Sequence, residues 1–252
     1  MPESNVNETQ LKRELNLRTR RGFLIGGLAA AAGLGGWEWL RTRGFADGIP
    51  WPLRRGLEAN EAFARAYSTP SRMAREFPRG AAEDVKVNGD IGIDDEDFDA
   101  SQWELNVEGL ARGAVMLKIG DIKALPRVEM TTELKCIEGW SQVVNWAGAR
   151  MVDFIQKYPP RDKDANRYVA LETPDAEYYV GLHMTDAVHP QTLLAYEMNG
   201  VPLSDDHGAP LRLVIPLKYG IKNLKRIGLI RYSNDRPKDY WAERGYDWYA
   251  GF

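Results

Sequence analysis

An α+β fold is the class that this sequence predicts, and three observations carry the prediction. From about residue 103 onward, short segments that alternate apolar and polar positions recur, as in "WELNVEG" at 103–109. The helical stretches between them are few and short, such as "GARMVDFIQKY" at 148–158. Strands and helices also fail to alternate in the regular order of a doubly wound parallel sheet, which leaves mixed β-sheets with short helices.

The first element is an N-terminal apolar run. Residues 18–24 read "RTRRGFL", and the uncharged stretch "GFLIGGLAAAAGLGGW" continues to Trp37 before Glu38 interrupts it. Paired Arg20 and Arg21 ahead of Phe23, Leu24 and a Gly/Ala-rich run resemble a twin-arginine export signal. The run is shorter than the ~20 residues that comfortably span a bilayer, so removal as a signal and retention as an anchor are both open, and a buried core helix is the alternative reading. Small-residue cleavage positions occur at Ala30-Ala31-Ala32 and Gly44-Phe45-Ala46.

Residues 44–80 are rich in Arg and Pro and show no sustained period except a short helical pattern from Leu57 to Tyr67. "WELNVEG" then predicts a half-buried strand, and "LKIGDIKALP" a second strand followed by a short helix. In "GARMVDFIQKY", Met151, Val152 and Ile155 share a helical face that Pro159-Pro160 ends. "RYVALET", "AEYYVGLHM", "PLRLVIPLKYG" and "KRIGLIRYS" supply four more strands. The expected organisation is a signal or anchor over 1–46, a linker with one short helix over 47–83, and a single domain over 84–252.

Composition excludes several classes. The 33 Lys and Arg nearly cancel the 36 Asp and Glu, a net charge of -3 that gives no electrostatic footprint for nucleic acid. One cysteine, Cys136, rules out an internal disulfide and any multi-cysteine zinc or iron–sulfur site made by this chain alone. His183, His189 and His207 lack zinc-ligand spacing. The acidic "GDIGIDDEDFD" at 89–99 lacks the EF-hand pattern and reads as a solvated loop. "GLGG" follows no strand, so it is not a dinucleotide loop.

Taken alone, Cys136 reads equally well as a small inert core residue. Its surroundings, "ELKCIEGWSQVVNWAG" at 133–148, and the tract "LLAYEMNGVPLSDDHGAPLRLVIPLKYGIKNLKRIGLI" at 193–230, resemble the sulfite oxidase fold family of molybdopterin enzymes. "KCIEGWS" and "PLKYGIKNLK" are most similar to its bacterial branch, typified by the protein-methionine-sulfoxide reductase catalytic subunit, and the likeness covers roughly residues 84–252.

The resemblance implies a molybdenum-molybdopterin cofactor with Cys136 as the protein's thiolate ligand to the metal. Soft thiolate sulfur suits such a site, and a coordinated thiol is deprotonated without any second cysteine. It further implies that Arg212, whose planar fork holds oxyanions bidentately, and Lys225, with backbone amides at Asn223 and Leu224, bind the pterin and its phosphate. On residues alone Arg212 alternates with Leu211 and Leu213 and reads as the solvent side of a strand. Further implied cofactor contacts are Asn88 in "VNGDIG", Thr173 in "ALETP" and His207 before Gly208. Local readings for these are an Asn-Gly turn, a strand-end hydroxyl and a turn histidine. Tyr178 corresponds to a substrate-side tyrosine and is expected, with Cys136, in the catalytic machinery; Tyr179 is the neighbouring register.

Two departures refine the expectation. Sulfite-oxidising members carry an arginine soon after the cysteine, and "CIEGWSQVVNW" has no basic residue, which disfavours sulfite. The chain stops soon after "GYDWYAGF", so no C-terminal immunoglobulin-like dimerisation domain is expected, and no C-x-x-C-H haem motif occurs. The sequence therefore predicts an exported molybdopterin oxidoreductase on the outer face of the inner membrane or in the periplasm. It would use the twin-arginine machinery, a membrane cytochrome b-type haem subunit as electron partner, and a small-molecule or protein-bound S- or N-oxide as substrate. Sulfite oxidation and a non-catalytic cofactor-binding subunit are the competing expectations.

Overall fold

The structure, a computed structural model, describes residues 8–67, 72–95, 97–162 and 167–252; residues 1–7 of the expected signal lie outside them. Helix α1 runs from Glu8 to Arg41 and stays helical through the Gly/Ala-rich run. Within it the 26 residues Asn16–Arg41 are long and apolar enough to cross a membrane. At 1.5 Å per residue they reach about 39 Å, more than the apolar run alone, because flanking turns continue the same helix. Phe23, Leu28, Leu34 and Trp37 are all exposed on it.

A two-residue hairpin, β1 (Phe45–Ala46) with β2 (Ile49–Pro50), leads into α2 (Trp51–Tyr67). This helix begins six residues before the expected Leu57, because Pro52 falls in the first turn, where its missing N–H has no helical partner to lose. Its buried residues are the charged Arg54 and Glu61. Arg54 donates to the carbonyls of Asp47 and Ala242 at 2.6 Å and of Tyr246 at 2.9 Å. Glu61 meets His183 Nε2 at 2.8 Å and Arg236 at 2.6 Å. A charged inner face is tolerable because each charge has partners that replace water.

Next in the chain come β3 (Leu105–Glu108), β4 (Val115–Leu117), α3 (Ile119–Lys123), β5 (Arg127–Lys135) and β6 (Ser141–Arg150). After them follow α4 (Met151–Lys157), β7 (Tyr168–Glu172), β8 (Tyr179–His183), α5 (Met184–Ala187) and β9 (Leu193–Met198). The last three strands are β10 (Val201–Pro202), β11 (Arg212–Val214) and β12 (Leu229–Ser233). Two sheets result, one ordered β10-β9-β6-β5 with β11 also on β9, the other ordered β4-β3-β12-β7-β8. Among the described residues only the β3–β12 pairing is parallel. The mixture of antiparallel hairpins and short helices is the α+β class read from the sequence.

The main core packs Leu105, Val107, Phe154, Leu171, Leu194 and Ile230, all fully buried, and a second cluster around Val144, Trp146 and Leu193 lies on β6 and β9. Register between those strands shifts at Ala147/Gly148. A Cβ on Gly148 would sit 2.1 Å from the Leu194 carbonyl oxygen, so the bulge needs glycine there. The long β5–β6 hairpin, the backbone on which the cysteine stands, is not among the strands that the sequence predicts.

Candidate functional site

Cys136 is the first residue beyond β5, at the tip of that hairpin. Its N–H donates to the Trp140 carbonyl at 2.9 Å, and its own carbonyl accepts from Gly139 N–H at 3.2 Å, so five residues reverse the chain and hold the thiol at the turn. The side chain is half-buried. Burial pushes the thiol up from its usual pKa and Glu138 adds to this, while the backbone amides of Glu138 and Ile137 and the charge of Lys86 oppose it. The Asn88 side-chain amide lies 4.0 Å from the sulfur.

Arg212 enters from β11 and is 4% exposed, which overturns the local reading of a solvent-facing strand residue. Its Nη1 donates to the His207 carbonyl at 3.1 Å and its Nη2 to the Asn223 carbonyl at 3.3 Å. The third donor, Nε, is buried without a hydrogen-bond partner. The guanidinium stacks 4.8 Å from the Trp146 ring centroid. Burial alone lowers its pKa to about 10.

Lys225 donates to the carbonyls of Gly89 at 2.7 Å and Asn88 at 3.0 Å. Burial first, then the charge of Arg212, push its pKa down to about 8. His207 is also lowered, by burial and then by Arg212 and Lys225. Gly208 makes this crowding possible. Its φ is +89°, and a Cβ there would stand 2.7 Å from both the Arg226 nitrogen and the Lys225 Cβ, so the turn after His207 can close on Lys225 only as glycine.

These residues meet in one cavity of about 220 Å³, lined by Asn88, Cys136, Tyr178, His207, Arg212, Asn223 and Lys225. Tyr178 and not Tyr179 reaches it: the Tyr178 hydroxyl donates to the Ile221 carbonyl at 2.6 Å, and burial pushes that phenol far up. Tyr179, first residue of β8, points instead to Glu243, its hydroxyl hydrogen-bonded there, because successive strand residues face opposite ways.

Asn223 lines the cavity, yet its side chain is spent on the loop, accepting from Ile215 N–H at 2.8 Å and donating to the Tyr219 carbonyl at 3.1 Å. Thr173 and Leu224 are not brought into the cavity. The Thr173 hydroxyl donates to Asp175 at 2.5 Å and accepts from Tyr178 N–H at 3.1 Å, which makes it the brace of the β7–β8 turn. The Leu224 side chain is fully buried in the main core. Sequence reasoning missed Lys86, Trp140, Trp241 and Tyr246, which also line the cavity. Trp140 stood in the quoted cysteine loop, and Lys86 two residues before Asn88; nothing local marked Trp241 or Tyr246.

A buried guanidinium with an idle Nε, beside a lysine whose pKa burial has depressed, is an arrangement that an anion relieves. A phosphate offers acceptors for both, and a soft metal gives the half-buried thiol a reason to ionise. The donor set thus fits a molybdopterin cofactor.

A family model described as "Oxidoreductase molybdopterin binding domain" matches residues 92–241. The putative protein-methionine-sulfoxide reductase subunit YedZ1 of Azospira oryzae is 36% identical over 184 residues, covering 72% of this chain and 69% of that protein. The protein-methionine-sulfoxide reductase catalytic subunit MsrP of Ralstonia nicotianae is 30% identical over 228 residues, covering 80% and 69%. Among solved structures, the sulfane dehydrogenase SoxCD of Paracoccus pantotrophus shares the fold with a TM-score of 0.51 at 17% identity, over 66% of this chain and 46% of that one.

Proposed function

This chain belongs to the molybdopterin-binding oxidoreductase family, and from that premise we propose an exported enzyme of two-electron oxygen-atom transfer that reduces an S- or N-oxide such as methionine sulfoxide. The observation that carries the reading is the convergence of Cys136 with the buried Arg212 and the half-buried Lys225 in one cavity. Molybdenum held by the pterin would supply the redox chemistry between oxidation states IV and VI.

The residues divide the remaining work. Cys136 would ligate the metal and release its proton on doing so, since a thiol raised by burial ionises only against positive charge. Arg212 would turn its idle Nε to the cofactor's phosphate, and Lys225 would add a second charge to the same anion. His207, lowered first by burial and then by both cations, would favour its neutral form, which can donate or accept a hydrogen bond without adding to their repulsion. Asn223 keeps the Arg212 fork aimed by accepting from it through its carbonyl.

Support for an oxide over an anionic substrate comes from the wall near the thiol. Tyr178, Trp140, Trp241 and Tyr246 give it an aromatic face suited to a neutral, partly apolar molecule, and Glu138 in the cysteine turn opposes an approaching anion. Oxidation of sulfite is the second reading, favoured by Lys86, whose ammonium lies 5.2 Å from the Trp140 ring centroid at the cavity.

The chain would take its electrons from a membrane cytochrome b-type partner, since no haem motif occurs in its own sequence. Metal analysis and electron paramagnetic resonance on protein purified from the export compartment, followed by turnover assays with methionine sulfoxide and with sulfite, test the reading. Turnover of sulfite alone supports the second reading. A molybdenum-loaded protein that turns over neither leaves a cofactor-binding subunit. Full oxide reduction in membranes stripped of haem proteins would remove the proposed electron partner.

A further inference from the structure

Helix α2 is built inside out. Arg54 and Glu61, seven residues apart and so on one side, face the body of the protein and are its buried residues. The opposite side carries Phe63 and Tyr67, which are 74% and 78% exposed, and Leu53 is 47% exposed beside them. Gly56, Ala59, Asn60 and Ala66 complete that outer face without a charge. A surface helix of a water-soluble protein shows the reverse distribution, and large exposed aromatics clustered this way mark an interaction site.

The chain itself indicates what covers this face. Only residues 42–50 separate α2 from the membrane-length helix α1, and they fold back as the β1–β2 hairpin. The short connection keeps α2 at the level where α1 leaves the bilayer. Aromatic side chains accumulate at that level: Trp37 and Trp39 at the end of α1, Phe45 in the hairpin and Trp51 at the start of α2, all exposed. Tryptophan and tyrosine with flanking arginines are the residues that settle at a membrane–water interface. Arg41 and Arg55, each ion-paired with a glutamate on its own helix, and the exposed Arg65 flank the stretch.

We propose that α2 lies in the bilayer interface, with Phe63 and Tyr67 among the lipid headgroups and upper acyl chains, as a second membrane contact parallel to the surface. This contact has a consequence for the cavity. Arg54 binds the carbonyls of Ala242 and Tyr246, and Tyr246 lines the cavity with Trp241. Seating α2 therefore holds that rim against the membrane, where a membrane-embedded electron partner can reach it. This consequence rests on the function proposed above and on α1 as the membrane segment; the lipid contact of α2 rests on α1 alone.

The test is photocrosslinking of the full chain in vesicles of phosphatidylethanolamine and phosphatidylglycerol. A benzophenone amino acid replaces Phe63 in one sample and Met116, 56% exposed on β4, in another. The expected result is co-flotation of both samples with vesicles and a lipid adduct at position 63 several-fold above that at 116. Co-flotation with equal adducts at the two positions overturns the α2 contact while leaving α1 in the membrane. Failure to float removes both. Adducts at position 63 to another protein, in native membranes and without lipid, assign the face to a protein partner and overturn the proposal. None of these outcomes depends on turnover, so the oxidoreductase reading stands or falls separately.

Discussion

The Asn88 side-chain amide stands 4.0 Å from the sulfur of Cys136, and the Asn88 backbone carbonyl accepts a 3.0 Å hydrogen bond from Lys225. One residue thus touches both the thiol and the cation cluster. Asn88→Asp would place a carboxylate beside a thiol that burial already raises, and a like charge raises it further. The expected outcome is slower alkylation of Cys136 at pH 8 and lower molybdenum content, with Asn88→Ala affected less. Equal alkylation rates for wild type and Asn88→Asp would show that the amide does not govern the thiol.

Cys136→Ser should fold and retain the pterin, because the Arg212 and Lys225 contacts do not involve the sulfur. Serine oxygen is a harder donor than thiolate. Turnover should be lost and the electron paramagnetic resonance signal altered. A variant with wild-type activity and an unchanged spectrum removes the central assignment.

Arg212→Ala removes a guanidinium that is 4% exposed and leaves a bound phosphate short of its partner, at a cost of about 2–4 kcal/mol in cofactor affinity. The protein should purify largely without cofactor while its thermal unfolding stays cooperative. Pterin content equal to wild type would mean that the idle Nε serves some other end.

The fold and the site were legible in the sequence to different depths. Strand β3 alternates, whereas β7, β8 and β12 read as short runs rich in β-branched and aromatic residues between turn signals; β7 buries Val169–Leu171 and β8 Val180–His183 in succession. The β5–β6 hairpin does not stand out, because the buried positions that follow one another in β5 and β6 include the polar Thr131, Thr132 and Asn145, which break both the period of two and a continuous apolar run. The Tyr178/Tyr179 ambiguity was one of strand parity, which only the start of β8 resolves. Trp241 and Tyr246 come to the cavity through the C-terminal segment, and Arg54, almost two hundred positions away, is the residue that binds their backbone neighbourhood. No local pattern encodes a contact of that range.

Lys225 gives a prediction with a pH sign. Its folded pKa is depressed from 10.5 to about 8. Below about 8 the lysine is charged in both states, so the folded chain carries the whole cost of burying that charge. Between about 8 and 10.5 the unfolded chain holds a proton that the folded chain has lost, and stability rises with pH. In cofactor-free protein, Lys225→Met should therefore stabilise the fold at pH 7, on the order of 2 kcal/mol after solvent screening. The gain should shrink as pH rises toward 10.5, and the same variant should lose cofactor affinity. Denaturant unfolding of both proteins at pH 7 and pH 9.5 checks it; a difference that does not change with pH would place the shifted proton elsewhere.

The twin-arginine assignment is testable because α1 is separable from the rest of the structure. Arg20 and Arg21 are exposed on a helix whose membrane-length stretch has no part buried against the protein, so changing them should leave the folding of the body untouched. A cofactor that is inserted before export requires the chain to cross the membrane folded, and paired arginines ahead of an apolar run direct that route. Replacing both, Arg20→Lys with Arg21→Lys, keeps the positive charge that a general secretory signal needs and removes only the guanidinium pair. The expected outcome is molybdenum-loaded protein trapped in the cytoplasm, with the same unfolding transition as wild type. Normal amounts of the double variant outside the inner membrane would show that the charge alone suffices and that the chain takes another route.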